Sequence, residues 1–168
     1  MVFTLLNSEL TNMPIPIHYH FRQHFAVPAR KAFEWCTNYS PEDHALMGDR
    51  EAERKISRFS DSTIILTDKF HVGASPIEKQ KLVQLYSDML FWTSTHLTGP
   101  AKYSQFLYQI TAEGEDASRI DFSGVFLDYD NEKLSNVETE KLSEKLCQED
   151  SEAWKLLAKA MEKDLCKK

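Results

Sequence analysis

Three sets of residues in this chain have types and spacings that could do chemistry. The first is polar and comprises Gln23, Arg54, Asp68 and His96. Gln23 interrupts an alternating run whose other members, Ile17, Tyr19, Phe21 and Phe25, share one strand face. Arg54 shares strand parity with Ala52 and Ile56, and Asp68 shares it with Ile64, Leu66 and Phe70. Polar side chains carried on apolar faces point inward. There an arginine holds a carboxylate bidentately, and a histidine donates or accepts near neutral pH. The alternatives are a surface Arg54 paired with an acid and a His96 satisfied within the structure. Any acid–base catalysis would fall to Asp68, His96 or Tyr108 with displaced pKa values.

The second set is apolar and aromatic: Tyr19, Phe21, Trp92, Tyr108, Phe122, Trp154, Leu157 and Met161. These residues either wall a ligand cavity or fill a core. The third set is His18, His20 and His24, on the strand face opposite Tyr19 and Phe21. Strand rise places His24 ~20 Å from His18. No cysteine or carboxylate sits nearby at ligand spacing, so no metal site is expected. The chain has no P-loop, dinucleotide-binding glycine fingerprint, G-x-S-x-G elbow or H-E-x-x-H. No catalytic residue and no cofactor is assigned.

The elements that would position these residues follow a clear order. An aromatic strand covers Ile17 to Phe25. Two short helices follow, Pro28 to Cys36 and Pro41 to Met47. Pro28 suits a first helical position. Ser40 can cap the second helix, Asp43 can reach back to the cap N–H, and Gly48 can close it. Strands are then expected at Arg50 to Phe59, Thr63 to Phe70, Glu78 to Tyr86, Met89 to Leu97, Lys102 to Ala112 and Ser118 to Leu127. A longer loop, His71 to Pro76, separates the second and third of these. The inward parity of Met89 to Leu97 is ambiguous, because Phe91 and Trp92 both call for burial. A final amphipathic helix carries Leu134, Val137, Leu142, Leu146, Ala153, Trp154, Leu157, Met161 and Leu165. Ser135 and Glu138 form a capping box at its start. Its apolar stripe lapses at Glu149 to Ser151, where a kink could sit.

Composition bounds the classes available. At 168 residues, with 27% charged residues and 5 glycines, one ordered globular domain is expected, residues 17–168, preceded by a leader at 1–16. The net charge of -6 argues against nucleic acid as a partner. All of it is matched by Asp128 to Glu152, which holds nine acidic and three basic residues. That run reads as a solvated helix face or as a partner surface. Cys36, Cys147 and Cys166 are odd in number and show no C-x-x-C, as reduced cytosolic thiols would. No signal peptide and no membrane span is read, so the expected location is cytoplasmic.

The β-α-α-β6-α order is that of the helix-grip fold. Two local stretches strengthen the comparison: Phe25-Ala26-Val27-Pro28-Ala29, and Ala32-Phe33-Glu34-Trp35-Cys36-Thr37-Asn38-Tyr39-Ser40-Pro41-Glu42-Asp43. Together they resemble the N-terminal signature of the START/Bet v 1-like (SRPBCC) superfamily, particularly its polyketide-cyclase-like archaeal and bacterial members. Arg54-Lys55-Ile56, Tyr108-Gln109-Ile110 and Ser118-Arg119-Ile120-Asp121-Phe122 fall where that superfamily places strands. The resemblance implies an α+β fold, with a seven-stranded curved antiparallel sheet wrapped around a long C-terminal helix. It also implies a cavity for a hydrophobic small molecule, such as a lipid, sterol or polyketide-like compound. Two alternatives stay open. One is a cyclase or hydrolase acting on an aromatic or polyketide-like substrate. The other is an interaction module or chaperone cofactor whose protein partner docks on the leader or the acidic helix.

Overall fold

The computed structural model describes residues 13–47, 50–72, 75–131 and 133–165, with the side chain of Val72 left aside. Seven strands form one antiparallel sheet. In chain order they are β1 (Ile15–Phe25), β2 (Glu53–Arg58), β3 (Thr63–Val72), β4 (Ser75–Tyr86), β5 (Phe91–His96), β6 (Gln105–Ala112) and β7 (Ser118–Asp128). In space the order is β1-β7-β6-β5-β4-β3-β2. Helices α1 (Ala29–Thr37) and α2 (Asp43–Leu46) lie between β1 and β2, and α3 (Asn136–Leu165) closes the fold. This is the expected α+β architecture: a curved seven-stranded sheet around a long C-terminal helix.

The boundaries differ from expectation for local reasons. β1 begins at Ile15, which pairs with Asp128, so two residues assigned to the leader belong to the sheet. Residues 1–12 of the leader, along with Gly48 and Cys166, lie outside the described residues. Pro28 has an extended ψ of 142°, and its carbonyl accepts from Ala32 N–H at 2.9 Å. It is therefore the N-cap of α1 and not its first helical residue. The second helix is a single turn. Asp43 does not reach back to a cap, because its carboxylate accepts from Arg54 Nη1 at 3.1 Å. The expected loop from His71 to Pro76 is largely sheet, since β3 and β4 pair out to Val72↔Ser75. Pro76 is tolerated there because β5 joins β4 only from Lys81 onward, leaving that part of β4 without a β5 neighbour.

A 3₁₀ turn, Ser87–Met89, and a left-handed Leu90 (φ 51°) delay β5 to Phe91 and settle its parity. Trp92 faces inward at 2% exposure, while Phe91 packs on Tyr86 on the outer face with ring centroids 5.4 Å apart.

The capping box at the start of α3 is formed. Glu138 Oε2 accepts from Ser135 N–H at 2.8 Å and from its hydroxyl at 2.7 Å. The helix runs through Glu149 to Ser151 without interruption for 30 residues, about 45 Å at 1.5 Å per residue. Val137 and Leu165, expected on its apolar stripe, are exposed, and Ala158 is buried instead. Polar side chains fasten α3 along β1: Ser143 donates to the His18 carbonyl at 2.7 Å, and Glu162 accepts from Ala26 N–H at 3.0 Å. The His18 carbonyl on this edge strand is thereby covered, as is that of His20 by the Cys147 thiol at 3.3 Å.

Candidate functional site

Antiparallel register arranges the inward side chains in cross-strand rungs, and these rungs grade from aromatic to charged. The aromatic rung is Leu85, Trp92, Tyr108, Phe122 and Phe21. Its rings touch in series: Trp92 stacks on Tyr108 at 4.8 Å, Tyr108 meets Phe122 edge-on at 5.1 Å, and Phe122 stacks on Phe21 at 4.5 Å. The next rung runs Val83, Ser94, Phe106, Gly124 and Tyr19. Beyond it come Ile56, Leu66, Lys81 and His96, and then Arg54, Asp68 and Lys79.

Between these rungs and α3 lies a cavity of about 310 Å³. Of the residues singled out in the sequence, Tyr19, Arg54, Trp92, His96, Tyr108, Trp154 and Leu157 line it. Phe21, Phe122 and Met161 do not. The first two are stacked on each other beneath Tyr19 and Tyr108, and Met161 is wholly buried in the core. Gln23 also turns away, donating to the His24 carbonyl at 2.8 Å. Asp68 sits behind the wall, held by Arg54, and anchors the polar end from there. His18, His20 and His24 face solvent, and no metal-holding group of His, Cys, Asp and Glu occurs among the described residues.

The polar end is an ion-pair network. Asp68 accepts from Arg54 Nε at 2.7 Å and Nη2 at 3.3 Å, and lies 2.7 Å from Lys81 Nζ and 3.1 Å from His44 Nε2. Burial by itself would raise the Asp68 carboxyl. His44, Lys81 and Arg54 outweigh burial and hold it well below the usual carboxylate range. Arg54 is shared with Asp43, whose own carboxyl is raised by burial despite the guanidinium beside it. The Tyr39 ring covers the Arg54 guanidinium at 5.8 Å. His96 is pushed down to about 2, first by burial and then by Lys79 and Lys81, so it is neutral at physiological pH. Burial also pushes the Tyr19 and Tyr108 hydroxyls and the Cys36 thiol upward.

Four charged residues that line the cavity, Asp43, Lys79, Lys81 and Asp150, were not among the candidates from the sequence. Lys79 follows the inward parity of Lys81, Val83 and Leu85, a signal present in the sequence. Asp150 stands four residues after Leu146 and four before Trp154, on the apolar stripe where that stripe lapses. It accepts from the Tyr19 hydroxyl at 2.6 Å, and burial raises its carboxyl. The acidic run is therefore not uniformly a solvated face. Asp150 points inward, and Asp128 is buried while accepting from Asp130 N–H and Asn131 Nδ2.

Solved structures share this architecture. Zhui aromatase/cyclase from a Streptomyces species superposes with a TM-score of 0.69 at 13% identity, covering 88% of this chain and 94% of that one. Norcoclaurine synthase from Thalictrum flavum, in complex with dopamine and hydroxybenzaldehyde, gives 0.65 at 16% identity over 95% of both chains. Ara h 8.0201 gives 0.64 at 12% identity, over 88% and 98%. The fold is the START/Bet v 1-like helix-grip fold. No family model matches the sequence, and no curated protein does either.

Within the helix-grip fold, the aromatic rungs and α3 supply apolar walls and β2–β5 supply a charged end. Such a site can desolvate an apolar body while offering it polar contacts at one end. No helix among the described residues is long and apolar enough to cross a membrane.

Proposed function

We propose that this protein binds a hydrophobic aromatic molecule of about two rings between its sheet and α3. The observation that carries this reading is the open volume of about 310 Å³ behind an aromatic wall. A cavity of roughly 150 Å³ holds one benzene ring, so about two rings fit here. Burying about 200 Å² of apolar ligand surface contributes on the order of 5 kcal/mol before the entropic cost of association. A polar contact at the charged end is then needed for micromolar affinity. The norcoclaurine synthase structure, with dopamine and hydroxybenzaldehyde bound in the same fold, supports an aromatic guest.

Two of the three catalytic candidates, Asp68 and His96, are held away from neutral titration. Asp68 is committed to Arg54, Lys81 and His44, and His96 stays neutral down to about 2. Neither can exchange a proton with a guest near neutral pH. The test is extraction of the purified protein into organic solvent with mass spectrometry of the extract, followed by titration with naphthol. A bound aromatic compound and micromolar naphthol affinity are expected. Trp154→Ala should weaken naphthol about tenfold, by removing one apolar wall. An empty extract together with no naphthol binding would refute the proposal.

A further inference from the structure

The charges at the cavity are mostly compensated by one another, and the exceptions define what a guest must carry. Arg54 is held by Asp43 and Asp68, and Lys81 by Asp68. Lys79 on β4 and Asp150 on α3 have no ion-pair partner among the described residues. Both line the cavity, one from the sheet and one from the helix. Each alters the ionisation of the other, yet they do not form an ion pair. The Lys79 ammonium lies over the Phe70 ring, 5.7 Å from its centroid. Asp150 receives the Tyr19 hydroxyl on Oδ2, and among the described residues no hydrogen bond is made to Oδ1. Two opposite charges facing a void across aromatic walls are costly unless something between them answers both.

Resting on the binding role proposed above, we propose that the guest is an aromatic acid that also carries a hydroxyl, its anionic oxygen held by Lys79 and its hydroxyl donating to Asp150. A purely hydrocarbon guest would bury both charges further and return no polar contact. A carboxylate on Lys79 makes a charge-assisted hydrogen bond, and a hydroxyl on the free oxygen of Asp150 makes a second. The ionisation of Lys79 agrees with this. Burial, then Lys81 on the same strand, lower it to about 8, while Asp68 and Asp150 oppose the shift and neutral His96 lies across the β4–β5 pair. The ammonium therefore persists at neutral pH.

The full chain titrated at neutral pH with four probes tests this: naphthalene, naphthol, naphthoic acid and a hydroxynaphthoic acid bearing its two groups on different rings. The expected order places the hydroxynaphthoic acid at least about tenfold tighter than naphthalene, as a charged hydrogen bond would give. Lys79→Met should bring both acids down to the affinity of their neutral counterparts. In the unmodified protein, acid affinity should fall as pH rises beyond about 8, which tests the same contact without a variant. Equal affinity for acids and neutral probes, or an acid preference that survives both Lys79→Met and high pH, would overturn this inference alone. Binding of none of the four would overturn it together with the binding role.

Discussion

At the scale of single residues, Asp68 is the keystone of the polar end, because one buried carboxylate answers Arg54, Lys81 and His44. Asp68→Asn would leave that positive cluster without its counter-charge and should cost about 3–5 kcal/mol in denaturant unfolding. His96 yields a pH prediction. Folded, it stays neutral down to about 2, whereas its ordinary value is 6.5. Unfolding therefore takes up a proton anywhere between those values, and stability falls as pH drops below 6.5. The limiting slope is about 1.4 kcal/mol per pH unit. His96→Gln should flatten the measured dependence between neutral pH and the onset of Asp68 protonation. Asp68 acts in the same direction at lower pH: its folded carboxyl is held below the ordinary value, so its contribution is present above that value and is lost with further acidification. Gly124 matters for a steric reason. A Cβ there would meet the Phe106 and Tyr19 rings at 3.0 Å and Phe122 at 3.1 Å. Gly124→Ala should cost about 1–3 kcal/mol and weaken naphthol binding, since the rings can give way only toward the cavity.

At the scale of elements, the strands were readable because side chains alternate with a period of two. That parity alone placed Phe106, Tyr108 and Ile110 on one inward face, and Ile64, Leu66 and Asp68 on another. The capping box, too, stood plainly in the sequence. Ser135→Ala should cost about 1 kcal/mol in thermal unfolding, having removed a cap on an exposed helix end. Other features could not be read locally. The single turn of α2 follows from Asp43 meeting Arg54, a contact between chain segments that no helix-start pattern encodes. Phe91 and Trp92 were separable only once the Ser87–Met89 turn had fixed the register of β5. Asp150 was concealed by its neighbours. Within an acidic run it resembles one more solvated carboxylate, and only the spacing from Leu146 to Trp154 marks it as inward. Phe21, Phe122 and Met161 show the converse limit: inward parity distinguishes core from solvent but not a filled core from a cavity wall.

At the scale of the whole molecule, the sheet and α3 divide the labour. The Trp92, Tyr108 and Phe122 rings and the Tyr19 rung make a stiff apolar wall, since each ring is braced by its neighbour across strands. The ion pairs of Asp43, Arg54, Asp68 and Lys81 fix the opposite end and join α2 to the sheet. The helix is seated on β1 by Ser143 and Glu162, and spans the gap with Trp154 and Leu157 instead of filling it. A crystal of the protein soaked in naphthol reads this arrangement most directly. Density for one naphthol molecule in the cavity lined by Tyr19, Trp92 and Leu157, with the sheet and α3 as far apart as in the unsoaked crystal, is the predicted result. Interlocked side chains in that space, with no density for a guest, would contradict it.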